Sequence, residues 1–486
     1  MSAINDMPFR IKSQVPQLSR QAILSGPTQL NFFVIRSILK EQKIFKMKNK
    51  TFFDVAVIGG GPAGMMAAGR AGELGAKVVL LEKNVSLGRK LLLTGKGRSN
   101  LTRAEFNPRE LLKKYGREGD FLLYPLSVFG VKETIEFFEK KGLKTKIERG
   151  KRIFPESNRS QDVLNILINY LKKSLVKVMA NYEVKEIIKE PTFANSASVA
   201  EATSAKEAAT AGNENRIAKV VLSGGQELLA ENYIIATGGK SYSGTGSTGD
   251  GYKWAEELGH KVSKLRPALV PLKIKENWPK LAQGLALKNV ELTVLKNNKK
   301  KDGRFGELLF THFGISGPIV LDLSGKIGEL LEKGEVKLIL DLKPALDFRI
   351  LDKRLQSDFS KYSQKLFKNS LSDLLPQKLI PVVVELSGIN PSKKVNEIIR
   401  EERHKLVKLL KGLEMMVSSL LGFETAIVTS GGVSLKEIDS KTMKSKLIEN
   451  LFFAGEIIDL HGPTGGYNLQ LCWSTGYLAG KSAAKL

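Results

Sequence analysis

The stretch FDVAVIGGGPAG at residues 53–64, followed by an Ala- and Met-rich run and then by KVVLLE at 77–82, decides how this chain is read. The apolar run Asp54–Ile58 has the β-branched density of a short buried strand, and Lys77–Leu81 has it again. A helix-length segment separates them, so the unit is strand–helix–strand with a parallel pair. Gly59, Gly61 and Gly64 take the three positions of a G-x-G-x-x-G turn. Gly59 permits the tight turn, Gly61 lets backbone approach a pyrophosphate, and Gly64 lets helix pack on strand, with the phosphates at the helix N-terminus. Glu82, eighteen residues past Gly64 and at the end of the second strand, is placed to accept hydrogen bonds from ribose hydroxyls.

A second match, Gly244–Gly249, lacks both a strand running directly into it and a following acidic strand end, and reads as a glycine loop entering a helix at Gly251–Leu258. The chain therefore carries one complete dinucleotide fingerprint, and any nicotinamide donor needs a site without one. Directly after the first unit, residues 87–102 (LGRKLLLTGKGRSNLT) concentrate cations and glycines, a loop in which Arg89 and Lys90 can neutralise a diphosphate. Near the C-terminus, Leu451–Asp459 is a strand ending in glycine and acid, and His461–Gln470 opens a last helix whose body lies around Leu478–Ala484. Such a turn brings backbone amides to a flavin ring and its ribityl chain, and the helix N-terminus favours negative charge on a reduced ring.

Composition bounds the rest. At 486 residues, 42% hydrophobic and 26% charged, the chain is globular and long enough for about three domains. Its net charge of +26 invites an anionic partner: nucleic acid, a membrane surface or a phosphorylated cofactor. Residues 1–50 hold nine Lys/Arg against two acids, and are expected to be an extension outside the fold, either a targeting segment or sequence upstream of a start at Met47. Cys472 is the single cysteine, which excludes an internal disulfide, a CxxC pair and a Cys-based zinc site, and fits a reducing cytoplasm. Four scattered histidines give no metal-ligand spacing, and no apolar run reaches the ~18 residues of a membrane span. The expected organisation is α/β: a Rossmann-like nucleotide-binding domain at 51–266, containing an Ala/Ser/Thr-rich disordered insertion at 190–216; a small β-domain inserted at 267–345; a helical subdomain at 346–422; and completion of the first domain by 423–486.

Six segments carry a family resemblance: GGGPAGMMAA at 59–68, GRKLLLTGKGRSNLT at 88–102, RIFPESNRSQDV at 152–163, ATGGKSYSGTGSTGDGY at 236–252, GELLFTHFGISGP at 306–318 and FAGEIIDLHGPTGGYNLQLCWSTGYLAG at 453–480. Together, and in this order, they resemble the BaiN/YhiN-type FAD flavoproteins, a family that includes a bile-acid 3-dehydro-Δ4,6-reductase and members named aminoacetone oxidases. The resemblance implies that the nucleotide-binding domain is an FAD-binding domain and that the insert at 267–345 interrupting it is β-barrel-like. It further implies FAD held by Gly59, Gly61, Ala63 and Gly64 at the pyrophosphate and by Glu82 at the adenosine ribose, with Lys83, Arg89 and Lys90 nearby. Val184 would meet the adenine through its backbone, while Gly455, Glu456, Gly466, Tyr467, Asn468 and Leu469 would line the ribityl and ring end. Gly97, Arg98, Asn100, Thr237 and Gly238 complete the expected set. Ser99 departs from the pattern, standing where many relatives have Cys, so no thiol chemistry is assigned there.

The expected activity is hydride transfer through FAD, linked to NADH or NADPH, in the reduction of a small organic substrate such as an unsaturated carbonyl compound. The cofactor carries the hard chemistry, and His312, Tyr467 and His461 are the candidate proton-transfer groups, each weighed against a scaffold role. Three alternatives stay open: an oxidase of an amine or aminoketone, an RNA-modifying flavoprotein, and a non-catalytic flavin-binding protein. Partners are expected to be a small molecule, with no membrane, and with nucleic acid as the runner-up.

Overall fold

The computed structural model describes residues 52–190 and 215–485; the expected extension at 1–50 and most of the insertion read at 190–216 lie outside the described residues. The opening strand Phe52–Ile58, the opening helix Pro62–Glu73 and the strand Val78–Glu82 form the strand–helix–strand unit, with Val57 paired in parallel to Leu80. They sit in a five-stranded parallel layer ordered Lys177–Ala180, Val78–Glu82, Phe52–Ile58, Glu227–Ile235, Leu451–Phe453. Beside it, Val184–Lys189, Ile217–Leu222 and the start of Glu227–Ile235 make an antiparallel meander. Val55, Ala56, Val57, Val79 and Leu80 are fully buried because both faces of the layer are covered, which is why these strands read as continuous apolar runs.

One face is covered by the opening helix and the final helix, Tyr467–Ala483, whose backbones touch. A Cβ on Gly476 would stand 2.4 Å from the Ala63 carbonyl oxygen and one on Gly480 2.2 Å from that of Ala67, so the four-residue glycine spacing is what admits the contact. Because 476 meets 63 and 480 meets 67, the two helices run in the same direction.

The insert is a closed six-stranded barrel in the order Leu272–Ile274, Gly314–Ser316, Lys299–Thr311, Ala286–Lys296, Lys337–Asp341, Leu413–Leu420. Leu338 and Leu340 point inward and are fully buried while Lys337, Ile339 and Asp341 are partly exposed, the period-two pattern of a strand with one wet face. The insert helix Pro318–Leu331 packs on it through Ile319, Val320, Leu323 and Ile327. Helices Phe348–Lys361, Ile380–Ser387 and Arg400–Lys411 intervene before the closing strand, so barrel and helical parts interleave along the chain. The architecture is thus the expected α/β one, a Rossmann-type domain with a barrel and helices inserted.

Strands Thr145–Glu148 and Arg152–Pro155 pair antiparallel between the helices Val131–Lys140 and Ser160–Lys173. Two local readings are corrected. The basic glycine segment is not a loop but a short helix, Arg89–Gly97, broken at Thr94–Lys96, where Gly95 and Lys96 take left-handed φ. The span 267–345, read as a β insert, also contains the insert helix, because Pro318 opens a run whose apolar residues serve a helix and a strand equally well. Among the described residues no helix is long and apolar enough to cross a membrane.

Candidate active site

The carboxyl end of the opening strand faces a cleft at the place where the strand order reverses, the usual ligand position in open α/β sheets. Gly59 has φ +108°, and a Cβ there would lie 2.5 Å from the Ala236 carbonyl oxygen. On Gly64 a Cβ would lie 1.8 Å from the carbonyl oxygen of Gly59, so this glycine lets the helix meet the turn. At Gly61 it would meet nothing within 4 Å: the cradle is open on the side where a phosphate must come. Gly61 caps the opening helix with no side-chain hydrogen bond and no acid in the first turn, leaving N–H groups free for an anion.

Glu82 is nearly buried, and its carboxylate accepts from the Gly60 amide at 2.8 Å and from the Asn84 amide at 2.8 Å. It is thereby held against the turn it serves. Arg89 donates to Asn84 Oδ1 at 2.7 Å, and Lys83 pairs with Asp250 at 2.6 Å. The Lys83 pair, with Asn84 Nδ2 donating to the Thr245 carbonyl at 3.1 Å, ties the strand end to the opposite wall, formed by Thr245–Asp250. The second glycine motif, set aside as a fingerprint, is that wall; it binds no second strand–helix–strand unit but encloses the same cleft. Thr237 lines the wall, but its Oγ1, which has no hydrogen-bond partner among the described residues, is buried against Gly251 rather than open to the cleft. The open glycine cradle and the uncapped helix fit a dinucleotide such as FAD.

At the far end of the cleft Lys90 Nζ lies 2.9 Å from Glu456 Oε2 and 2.7 Å from Ser241 Oγ. Glu456 also accepts from Ser241 Oγ and the Thr429 amide. Burial pushes its carboxyl up, but Lys90 and these bonds outweigh burial and hold it below the ordinary carboxylate range. The charge of Lys90, expected at the diphosphate, is therefore answered by Glu456. Cys472 lines this end, and burial, followed by the Glu456 charge, pushes its thiol up to about 12, so it is a protonated wall group.

Of the expected set, Gly59, Gly61, Ala63, Glu82, Lys83, Arg89, Lys90, Val184, Thr237, Gly238 and Glu456 line the cleft, with Gly64 behind the turn. Gly97 and Asn100 stand off its walls, and Arg98 is taken up elsewhere, 3.0 Å from Glu148 and stacked over Phe154. Gly455 packs behind it, where a Cβ would come 2.7 Å from that of Ala63. Gly466, at φ +101°, opens the final helix with no side-chain cap. Its start at Tyr467 extends nine residues beyond the level of Ala63, about 13 Å at 1.5 Å per residue. Two uncapped helix N-termini thus lie a dinucleotide's reach apart. Asn468 clamps the turn before them, donating to the Gly462 carbonyl and accepting from the Gly462 amide at 2.9 Å each, and Leu469 is buried beside it. Tyr467 is buried under Arg103, 5.4 Å from its ring, with its carbonyl bonded by Tyr115.

Of the proton-transfer candidates, His312 is exposed at a barrel turn, against Phe313. His461 lies in the turn before the final helix, 3.9 Å from where a Cβ of Gly325 would stand, and burial lowers its pKa. Sequence reading missed Asn84, Tyr182, Trp254 and the 245–250 wall, whose only signal was their glycine content. It also passed over His260, which has Glu437 at 3.1 Å and Ser445 at 2.9 Å in a hydrolase-like array. Ser445 Oγ is buried and accepts from the Leu447 and Ile448 amides, so that array is scaffold.

The sequence profile of the HI0933-like protein Rossmann domain matches residues 53–482. The chain belongs to the HI0933-like family. Cleft, fold and membership together make this HI0933-like chain an FAD-dependent oxidoreductase. It is 32% identical over 434 residues to the 3-dehydro-bile acid delta(4,6)-reductase of Clostridium scindens, covering 89% of the chain and 99% of that protein. It is 29% identical over 426 residues to the ribosomal RNA dihydrouridine synthase of Escherichia coli, covering 87% and 96%. Among solved structures, 3-ketosteroid delta1-dehydrogenase from Sterolibacterium denitrificans shares the HI0933-like fold at 13% identity and a TM-score of 0.50, over 89% of this chain and 99% of that one.

Proposed function

We propose that this protein saturates a carbon–carbon double bond conjugated to a carbonyl group, with NADH or NADPH as the electron source. The observation that carries the reading is the seam between the two parts: the Thr464 amide, in the turn that starts the final helix, donates to Asp322 of the insert helix at 2.8 Å. A substrate reaching the ring end would then lie at the seam of the FAD domain and the barrel, near Asp322 and the two arginines whose charges act on it, Arg103 and Arg304, the latter paired with Asp302 at 2.6 Å. Two guanidinium groups suit the negative charge that gathers on a carbonyl oxygen as its conjugated bond is reduced. The two relatives support the same bond class: a 3-oxo compound with double bonds at 4 and 6 is a conjugated dienone, and converting uridine to dihydrouridine saturates a bond conjugated to a carbonyl.

Bound FAD supplies the hydride. The chain's residues hold it: Gly59, Gly61 and the opening helix at the diphosphate, Glu82 at the ribose, and Lys90 with Glu456 toward the ribityl chain. Val184 at the adenine and the Gly466–Leu469 turn at the ring complete the proposed set.

The substrate is proposed to be a small enone or dienone. A uridine in RNA is the second reading, favoured by the +26 charge and by Lys299, Lys300 and Lys301, all exposed at one barrel hairpin. Incubation with each nicotinamide and either a steroid dienone or a ribosomal RNA fragment, followed by mass spectrometry, distinguishes them: two hydrogens are gained by the true substrate. If neither gains hydrogen, and the reduced flavin passes its electrons only to oxygen, the oxidase reading replaces this one.

A further inference from the structure

We propose that Asp322 is the acid that delivers the proton completing the reduction, an inference that rests on the conjugated-bond reading above. Asp322 lies in the second turn of the insert helix, and with Gly325 and Glu329 it occupies one helical face. That face runs along the turn that leads into the final helix: Asp322 Oδ1 takes the Thr464 amide at 2.8 Å, and Gly325 lies against His461. The carboxyl group is therefore fixed three residues before Tyr467, at the helix end proposed to face the flavin ring.

The groups that act on it come from every element packed there: Arg103 ahead of the clamp around Tyr467, Arg304 on the barrel strand, the Thr464 hydroxyl, and Tyr467. Burial raises the Asp322 carboxyl above the usual aspartate range, and the Thr464 bonds and both arginines only partly oppose it. An acid keeping its proton closer to neutrality is suited to give it up during turnover. The neighbours are worse placed. Burial disfavours the protonated form of His461, Tyr467 is pushed up by burial, and His312 sits exposed on the barrel.

Once hydride has added to the far carbon of the double bond, the substrate holds an enolate. The Asp322 O–H bond breaks, its proton bonds to the carbon next to the carbonyl, and the enolate electron pair becomes the new C–H bond. Asp322 is left as a carboxylate near Arg103 and Arg304, and regains a proton from solvent. One hydride and one proton have been added, and the nicotinamide is the reductant.

Asp322→Asn tests this, because the amide oxygen still accepts from Thr464 but has no acidic proton; Asp322→Ala loses both. The holoenzymes are reduced anaerobically by nicotinamide and mixed with a steroid dienone or uridine-containing RNA, following flavin absorbance against pH. The carboxylic C=O band is read separately by infrared titration without substrate. For Asp322→Asn we expect wild-type FAD content, nicotinamide reduction within about twofold, and reoxidation slowed by roughly 10²-fold or more. The wild type's loss of reoxidation rate with rising pH disappears, and the carboxylic band that titrates above the ordinary aspartate range in the wild type is missing. If Asp322→Asn is reoxidised at the wild-type rate with the wild-type pH profile, Asp322 is only the acceptor for Thr464 and the proposal falls. If neither acceptor reoxidises the wild type, the substrate reading fails before any variant is compared, and the proposal falls with it.

Discussion

Gly61→Ala should separate folding from cofactor binding. Gly61 has φ −79° and ψ −176°, extended backbone that alanine adopts freely, and a Cβ there meets nothing within 4 Å. The folded apoprotein is undisturbed, and the stiffer unfolded chain makes alanine stabilising by about 0.4–1 kcal/mol. The methyl group nevertheless projects into the open cradle at the helix N-terminus. If a diphosphate fills that space, overpacking costs about 1–3 kcal/mol, which is roughly 5- to 150-fold in Kd. Gly64→Ala is the contrast. Its Cβ would be 1.8 Å from the Gly59 carbonyl oxygen, where real contacts stop at 3.0 Å, so turn and helix must part by about 1.2 Å; this variant loses apoprotein stability by about 1–3 kcal/mol as well as cofactor. Thermal unfolding of flavin-stripped protein and FAD titration by fluorescence quenching read the two effects. Wild-type FAD affinity in Gly61→Ala would refute the placement of the cofactor.

Other outcomes follow from the same geometry. Lys90→Met leaves Glu456 without its cation, and because both side chains are mostly buried the loss should approach about 3–5 kcal/mol in denaturant unfolding; pairing it with Glu456→Gln should recover part of that, and a neutral single variant would contradict the role given to the pair. Glu456 has a depressed carboxyl in the fold, so its contribution is complete above its ordinary value of 4.5 and is lost as pH falls through the folded value; the Lys90→Met variant should lose this acid dependence. Burial depresses His260 from 6.5, so the folded state prefers it neutral, and stability should decline as pH falls below about 6.5; an unchanged slope in His260→Gln would show that another group carries it. Under the RNA reading, Lys299, Lys300 and Lys301 changed to Ser should leave FAD content intact and flatten the salt dependence of RNA retention by about 0.7–0.9 for each phosphate no longer neutralised; unchanged retention would remove the hairpin from that reading.

What could be read from sequence was what lies close in the chain. The turn from Gly59 to Gly64 and the acid at Glu82 are one local unit, so their spacing alone reports a helix N-terminus aimed at a phosphate. The pairings that finish the site are long-range and leave no periodic trace. Lys90 finds Glu456 across 366 residues, and Leu451–Phe453 joins the sheet beside Glu227–Ile235. The barrel closes by pairing Leu272 with Leu420. Asp322 was invisible for the same reason: on an amphipathic helix its acid reads as solvated surface until Thr464 is seen against it. The Thr245–Asp250 loop failed its test as a phosphate turn for sound reasons, yet a loop can wall a cleft without any of the features that test demands.

The proposed chemistry turns on one transfer, from nicotinamide through FAD in the Gly61 cleft to a conjugated double bond. Anaerobic stopped-flow on purified protein measures it: one FAD per chain, bleached by NADH or NADPH, then mixed in parallel with oxygen, a steroid dienone and uridine-containing RNA. The expected result is stoichiometric bleaching and reoxidation by one of the two conjugated acceptors at least tenfold faster than by oxygen, an advantage of about 1.4 kcal/mol in barrier. A chain that holds no flavin, or whose flavin is reoxidised by oxygen alone, contradicts it.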